Sequence, residues 1–170
     1  IAEAGGFVSA PVHSSVSGTV TKVEKRRNAV GDMVDAVIVE NDDLYEAVPD
    51  AEKASLESLS KEDIIERIKT AGAGFPTHVK LSPKEPEKIE YVLVNGAECE
   101  PYLTSDYRCM IEHPDEITGG LECILKLFDN AEGVICIEDN KPEAIAVMQR
   151  AVQGHQRMRV ATMKTKYPEG

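Results

Sequence analysis

Two stretches of this 170-residue chain carry residue types suited to chemistry. The first is Gly72-Ala73-Gly74-Phe75-Pro76-Thr77-His78-Val79-Lys80. Glycines lack a Cβ and let a backbone approach a planar or phosphorylated ligand closely, while Lys80 can hold a phosphate or the electron-rich edge of a ring. The same residues also suit a helix-ending glycine followed by a proline-stopped loop. The second stretch is Asn95-Gly96-Ala97-Glu98-Cys99-Glu100-Pro101-Tyr102. Asn95 donates and accepts hydrogen bonds, and Glu98 and Glu100 accept hydroxyl or amide protons. Two carboxylates this close are costly to bury together unless paired, so a solvated acidic turn is the plain alternative. Asp106 and Arg108 follow and can pair with that loop. The cysteines at 99, 109, 123 and 136 form no C-x-x-C pair, which points away from a zinc or iron–sulfur knuckle. They read as reduced, structural thiols of a cytosolic protein.

The elements that must position these loops fall into two regimes. Residues 1–48 are rich in Val, Ser and Gly. Ser17–Val23 alternates as a strand, Asn28–Asp32 reads as a turn, and Ala36–Val39 as a second strand. With no helical period, this region predicts a small β-sandwich. Residues 49–59 are a polar connection. Ser60, with Asp63 three positions on, predicts a capped helix whose apolar face is Ile64, Ile65 and Ile68. Strand and helix then alternate. Strands are expected at 89–94, 134–137 and 159–163, and helices over 115–127 and from Pro142 to Val152, with proline in the first turn. Such alternation predicts a parallel sheet flanked by helices, a Rossmann-like α/β layer spanning 49–170. The acidic loop then leaves the carboxyl edge of the sheet, where ligands of open α/β sheets bind.

Charge and hydropathy exclude other classes. With 30 acidic against 19 basic residues, the net charge is −11. Such a surface repels nucleic acid and anionic lipid. No run approaches the roughly 18 apolar residues of a membrane span, and Ile1–Gly6 has no basic n-region of a secretory signal. Residue 1 already lies inside an element and Tyr167–Gly170 stops just after a strand, so both ends read as cut.

Taken together, G-A-G-F-P-T with its lysine and N-x-x-E-x-E-P resemble the flavin-mononucleotide site of the NADH-oxidising subunit of respiratory complex I. The match to the RnfC family, from Rnf-type ion-translocating electron-transport complexes, is closer: N-G-A-E-C-E-P-Y, T-H-V-K-L, A-P-V-H-S-S-V-S-G-T-V near the start and K-T-K-Y-P near the end all fit it. The resemblance implies an FMN-binding α/β domain after an unmodified barrel-sandwich hybrid domain at 1–48. It places Gly72, Gly74, Phe75 and Pro76 at the flavin-cradling loop and Lys80 beside the flavin. Asn95, Glu98 and Glu100 would line the flavin and nicotinamide pocket. Ala97 stands where complex I has an aspartate. No residue is assigned as catalytic acid, base or nucleophile, and none as a metal ligand. The implied activity is NADH oxidation, with FMN passing electrons between NAD(H) and 4Fe-4S clusters. Those clusters belong to cysteine-rich regions that the family carries beyond the equivalent of Gly170, and not to this stretch. The implied setting is peripheral, on the cytoplasmic face of the membrane, beside the membrane and iron–sulfur subunits of the complex and, through them, ferredoxin. The family precedes G-A-G-F-P with a longer glycine-rich loop, so a deletion or a chain break is expected between Ala71 and Ala73. Two other readings belong to different classes. One is a scaffold without flavin. The other is a biotinyl- or lipoyl-type carrier, for which Lys25 (or Lys22) lacks the usual M-K-M or D-K-A setting.

Overall fold

The computed structural model describes residues 1–6, 9–48, 54–72 and 80–168. They belong to two compact units, Ile1–Lys80 and Leu81–Gly170.

In the first unit, β1 (Gly18–Arg27) pairs antiparallel with β2 (Met33–Asn41). The turn between them is held by Asn28, whose Oδ1 accepts the backbone N–H groups of Val30 at 3.1 Å and Asp32 at 2.9 Å. Gly31 supplies the positive φ of 95° that the turn requires. Both strands run further than the apolar residues alone suggest. The charged stretch Glu24–Arg27 stays in the ladder because main-chain bonds set the pairing, and Lys25 faces Asp35 across it at 2.9 Å. Among the described residues this ribbon is the one multi-residue ladder of the unit, with an isolated bridge between Ala2 and Val12. The second sheet of the expected sandwich is not among them, and Val20, Val23 and Met33 stay exposed.

Helix α1 (Lys61–Thr70) begins as expected. Ser60 Oγ accepts Asp63 N–H at 3.1 Å, and Asp63 Oδ2 accepts Ser60 N–H at 3.0 Å, a reciprocal cap satisfying two orphan donors. The Ser60 bonds hold the Asp63 carboxyl below the usual carboxylate range. Ile64 is buried and Ile65 and Ile68 are half-buried, so the predicted apolar face is the inward one.

The second unit is a mixed α/β layer. Strands β3 (Tyr91–Gly96), β4 (Glu132–Glu138) and β5 (Met158–Met163) form a parallel sheet in the order β3-β4-β5. Helices α2 (Ser105–Glu112) and α3 (Pro114–Leu125) connect β3 to β4, and α4 (Pro142–Ala151) connects β4 to β5. The three helices touch one another, and α3 and α4 lie against the strands. Ile135, Ile137, Leu121, Leu125 and Met148 are buried between these layers. Each contributes roughly 1.5–3 kcal/mol. At Gly133 the fit is so close that a Cβ would come within 2.8 Å of Leu121. Arg157 closes the far end. Its guanidinium donates to the carbonyls of Leu125 at 2.9 Å, Phe128 at 2.9 Å and Asp129 at 3.1 Å, which ties the last residue of α3 to the turn that follows it. Strand β3 starts two residues later than expected and continues through Asn95 and Gly96, because β4 offers partners out to Cys136 and Ile137. Helix α2 was not expected at all.

Candidate functional site at the carboxyl edge of the sheet

The carboxyl ends of all three strands open onto one cavity of about 340 Å³. Its walls are Glu98–Leu103 after β3, Glu138, Asn140 and Lys141 at the end of β4, and Thr165–Tyr167 after β5. The acidic loop therefore leaves the edge anticipated from the strand–helix alternation. A larger cavity of about 570 Å³ lies within the first unit, between Ile1–Ala4, Pro11–His13 and one side of α1. It is lined by neither motif loop.

The two glutamates of the loop separate. Glu98 is turned inward, with a side chain only 2% exposed and a φ of 30°. Its Oε1 accepts Asp106 N–H at 2.7 Å and its Oε2 accepts Tyr107 N–H at 3.2 Å, so it caps helix α2. Lys141 Nζ donates to Oε2 at 3.1 Å and lies 5.5 Å from the centre of the Tyr107 ring. The Tyr107 hydroxyl donates in turn to Glu143 at 2.6 Å, a bond that pushes the phenol above its ordinary pKa. Glu100 is exposed on the cavity rim. Splitting the pair avoids burying two like charges together. Tyr102 follows with a φ of 69°. Two non-glycine residues in the left-handed region within five positions mark a backbone held in an uncommon shape.

The other expected residues divide as follows. Asn95 sits near the end of β3, exposed, and its Oδ1 accepts Ala97 N–H at 3.1 Å. Gly72 ends helix α1 with a φ of 70°, and its N–H donates to Lys69 O at 3.0 Å. A Cβ there would meet Pro11 O at 2.9 Å, so the position demands glycine. This is the geometry of a helix-ending glycine. Lys80 is exposed. Gly74, Phe75 and Pro76 lie outside the described residues, as does the far side of the break expected between Ala71 and Ala73. Asp106 meets the loop through its backbone N–H. Arg108 pairs with Glu112 one turn on, because the Glu98 carboxylate is already filled by main-chain donors and Lys141. None of the four cysteines is in a disulfide, and burial pushes the Cys136 thiol up.

Three residues of the site were not anticipated. Lys141 is the cation that permits Glu98 to be buried. Asp139 accepts Thr165 N–H at 3.1 Å and Lys164 Nζ at 3.2 Å, which ties the segment after β5 to the end of β4. Thr165 and then Lys164 hold its carboxyl below the usual range. Glu138 is 1% exposed. The signal for all three was their position directly after an apolar strand, where an α/β sheet places its ligand contacts.

This cavity lies within a region of recognisable kinship. Residues 65–170 match the family described as the Nuo51 FMN-binding domain, and residues 1–44 match the RnfC barrel sandwich hybrid domain. The chain belongs to the Nuo51 FMN-binding domain family. Its similarity to RnfC proteins holds along its whole length. It is 40% identical over 177 residues to the C subunit of the Na(+)-translocating ferredoxin:NAD(+) oxidoreductase complex of Acetobacterium woodii, covering 100% of this chain and 40% of the relative. It is 36% identical to the C subunit of the proton-translocating ferredoxin:NAD(+) oxidoreductase complex of Clostridium ljungdahlii, over 100% of this chain and 38% of the relative. With the C subunit of the ion-translocating oxidoreductase complex of Pseudomonas aeruginosa it shares 35% identity over 100% of this chain and 23% of that protein. The chain thus spans two fifths or less of the length of these relatives. Among the described residues no helix is long and apolar enough to cross a membrane.

Proposed function

We propose that this chain is the FMN- and NADH-binding electron-entry module of a membrane-bound, ion-translocating ferredoxin:NAD oxidoreductase complex. In this reading residues 49–170 form the Rossmann-like flavin domain and residues 1–48 an unmodified barrel-sandwich hybrid domain. The longer protein carries the 4Fe-4S clusters, and its partners are the other subunits of the complex on the cytoplasmic face of the membrane, with ferredoxin reached through them. The observation that supports this best is the cavity at the carboxyl edge of a parallel sheet, inside the stretch that matches the FMN-binding family. The donor set fits such a ligand. Glu100 presents an acceptor on the rim, Glu98 fixes the loop that carries it, and Glu138 brings a buried carboxylate to the cavity wall; Asn95 is on strand β3, outside the lining, with its Oδ1 taken by Ala97 N–H.

When bound, FMN supplies the exchange between two-electron chemistry with a nicotinamide and one-electron release. The chain's own part is to bind and orient. By the family resemblance, Gly72, Gly74, Phe75 and Pro76 would be the residues that cradle the flavin, and Lys80 would supply a positive charge. Glu100 would hold hydroxyl and amide groups at the rim, Asn95 would add a polar contact from the end of β3, and Glu98 keeps the rim in shape through α2 and Lys141. The alignment with the Acetobacterium woodii protein covers 177 positions against the 170 residues here, so that relative carries positions this chain lacks. A shortened glycine loop before Gly72 accords with this.

The test is titration of the purified chain with FMN, read by flavin fluorescence, followed by NADH. Saturable quenching, and bleaching of the flavin absorbance by NADH, support the assignment. Glu100→Gln should then weaken NADH about ten-fold or more while leaving FMN affinity and folding unchanged. Absence of flavin binding leaves a scaffold.

A further inference from the structure

We infer that Glu138 is a binding residue of this cavity, its carboxylate accepting hydrogen bonds from the sugar hydroxyls of a bound nucleotide. The inference rests on the functional reading above and adds a residue that the motif loops do not contain. Glu138 is the last residue of the central strand and is 1% exposed. Among the described residues its carboxylate has one hydrogen bond, a long one of 3.3 Å from Lys166 N–H to Oε1. A buried carboxylate demands several strong donors, and leaving it short of them is costly. The missing donors point to something that enters from the cavity.

Lys141, which lines the same cavity, is committed to Glu98 at 3.1 Å. Strand register supplies the direction. Cys136 pairs with Asn95 across the ladder, and alternation along β4 puts Glu138 on the same face of the sheet as that asparagine. The wall thus combines the Glu138 carboxylate, the exposed Glu100 and Asn140. Lys141 and Lys166 line the same cavity, so the wall carries both signs of charge, and the carboxylate side of it suits a group that brings several donors. Two adjacent hydroxyls present two O–H donors to one carboxylate, a use of acidic side chains seen at strand ends of nucleotide-binding α/β folds. No group of three His, Cys, Asp or Glu arranged to hold a metal ion occurs among the described residues. The hydroxyls can come from the ribityl chain of the flavin or from the ribose of the nicotinamide nucleotide, and the experiment separates these sources.

The experiment compares wild type with Glu138→Gln in this chain. Equilibrium titrations use FMN against lumiflavin, which lacks the ribityl chain, and NADH against 1-methyl-1,4-dihydronicotinamide, which lacks ribose; weak ligands are measured by competition. Circular dichroism and thermal melting monitor the fold. The expected result is a loss of about ten-fold or more for one sugar-bearing ligand, with its sugarless counterpart unaffected. A loss confined to FMN assigns the ribityl chain; one confined to NADH assigns the ribose. If wild type binds neither nucleotide, the functional reading fails and this inference with it. If wild type binds and Glu138→Gln binds equally well, or loses the sugarless ligands to the same degree, the inference is overturned and the functional reading stands. Should Glu138→Gln not fold, Glu138→Asp keeps the charge and is expected to fold and bind more weakly. Failure of both to fold makes the residue structural and overturns the inference.

Discussion

Replacing Glu98 by Gln preserves shape and removes one charge, so it isolates what that carboxylate does. Glu98 holds Asp106 N–H at 2.7 Å, Tyr107 N–H at 3.2 Å and Lys141 Nζ at 3.1 Å, with 2% of its side chain exposed against 17% for Lys141. The glutamine keeps one acceptor for one backbone donor and turns an NH2 group toward the remaining donors. A charge-assisted bond is worth about 1.5–3 kcal/mol and a helix N-cap about 1 kcal/mol. The carboxylate's own desolvation cost is recovered in part. The expected net loss is about 2–4 kcal/mol in the stability of the α/β unit. Urea denaturation followed by far-ultraviolet circular dichroism measures it, with an unchanged m-value showing that the folded state is the same. A double-mutant cycle with Lys141→Met should return a coupling of about 1–3 kcal/mol. A loss under about 0.5 kcal/mol, or no coupling to Lys141, refutes the assignment of Glu98 as the anchor of its loop.

Gly72→Ala should destabilise the first unit by about 1–3 kcal/mol, because alanine must adopt a φ of 70° with its Cβ at 2.9 Å from Pro11 O; thermal melting reads this directly. Asp63 and Asp139 both have lowered pKa values, against an unfolded value of 3.8. A depressed carboxylate adds stability above its unfolded pKa and loses it as pH falls through the folded value. Melting temperature should therefore drop below about pH 4, and Asp63→Asn should flatten that acid limb. Expression with biotin and lipoate should add no mass to the chain, since Lys25 is paired with Asp35 at 2.9 Å within a ladder rather than presented on a turn; intact-mass spectrometry checks it.

The sequence revealed those elements whose signals are local. The Ser60–Asp63 cap, the turn at Asn28–Asp32 and Pro142 at the start of α4 each depend on residues a few positions apart, and each was found where expected. Helix α2 escaped because Thr104 makes no side-chain cap, and the cap comes from Glu98, eight residues before Asp106. Glu138 escaped for a related reason. An acid after an apolar strand reads as the start of a solvated loop, and the segment that covers it arrives from beyond β5. The motif loops announced themselves by residue type, yet type alone did not show that Glu98 turns inward and Glu100 outward. Gly72 admitted two readings, and the observed conformation satisfies the helix-ending one while leaving its part beside a ligand to experiment.

The order β3-β4-β5 has a kinetic consequence during synthesis. Strand β3 leaves the ribosome first, yet its hydrogen-bonding partner is β4, which begins at Glu132. Until that strand is made, Tyr91-Val92-Leu93-Val94 is an unpaired, strongly β-forming segment, the kind that seeds association between nascent chains. Lys88 and Glu90 precede it, and they act as gatekeepers that make edge-to-edge stacking of two copies unfavourable. The β1–β2 ribbon faces no such delay, because its strands are separated by a five-residue turn and can close within microseconds. The central strand therefore governs how long the α/β unit remains vulnerable, and a change that slows the docking of β4 should lower soluble yield more than it lowers the stability of the finished fold.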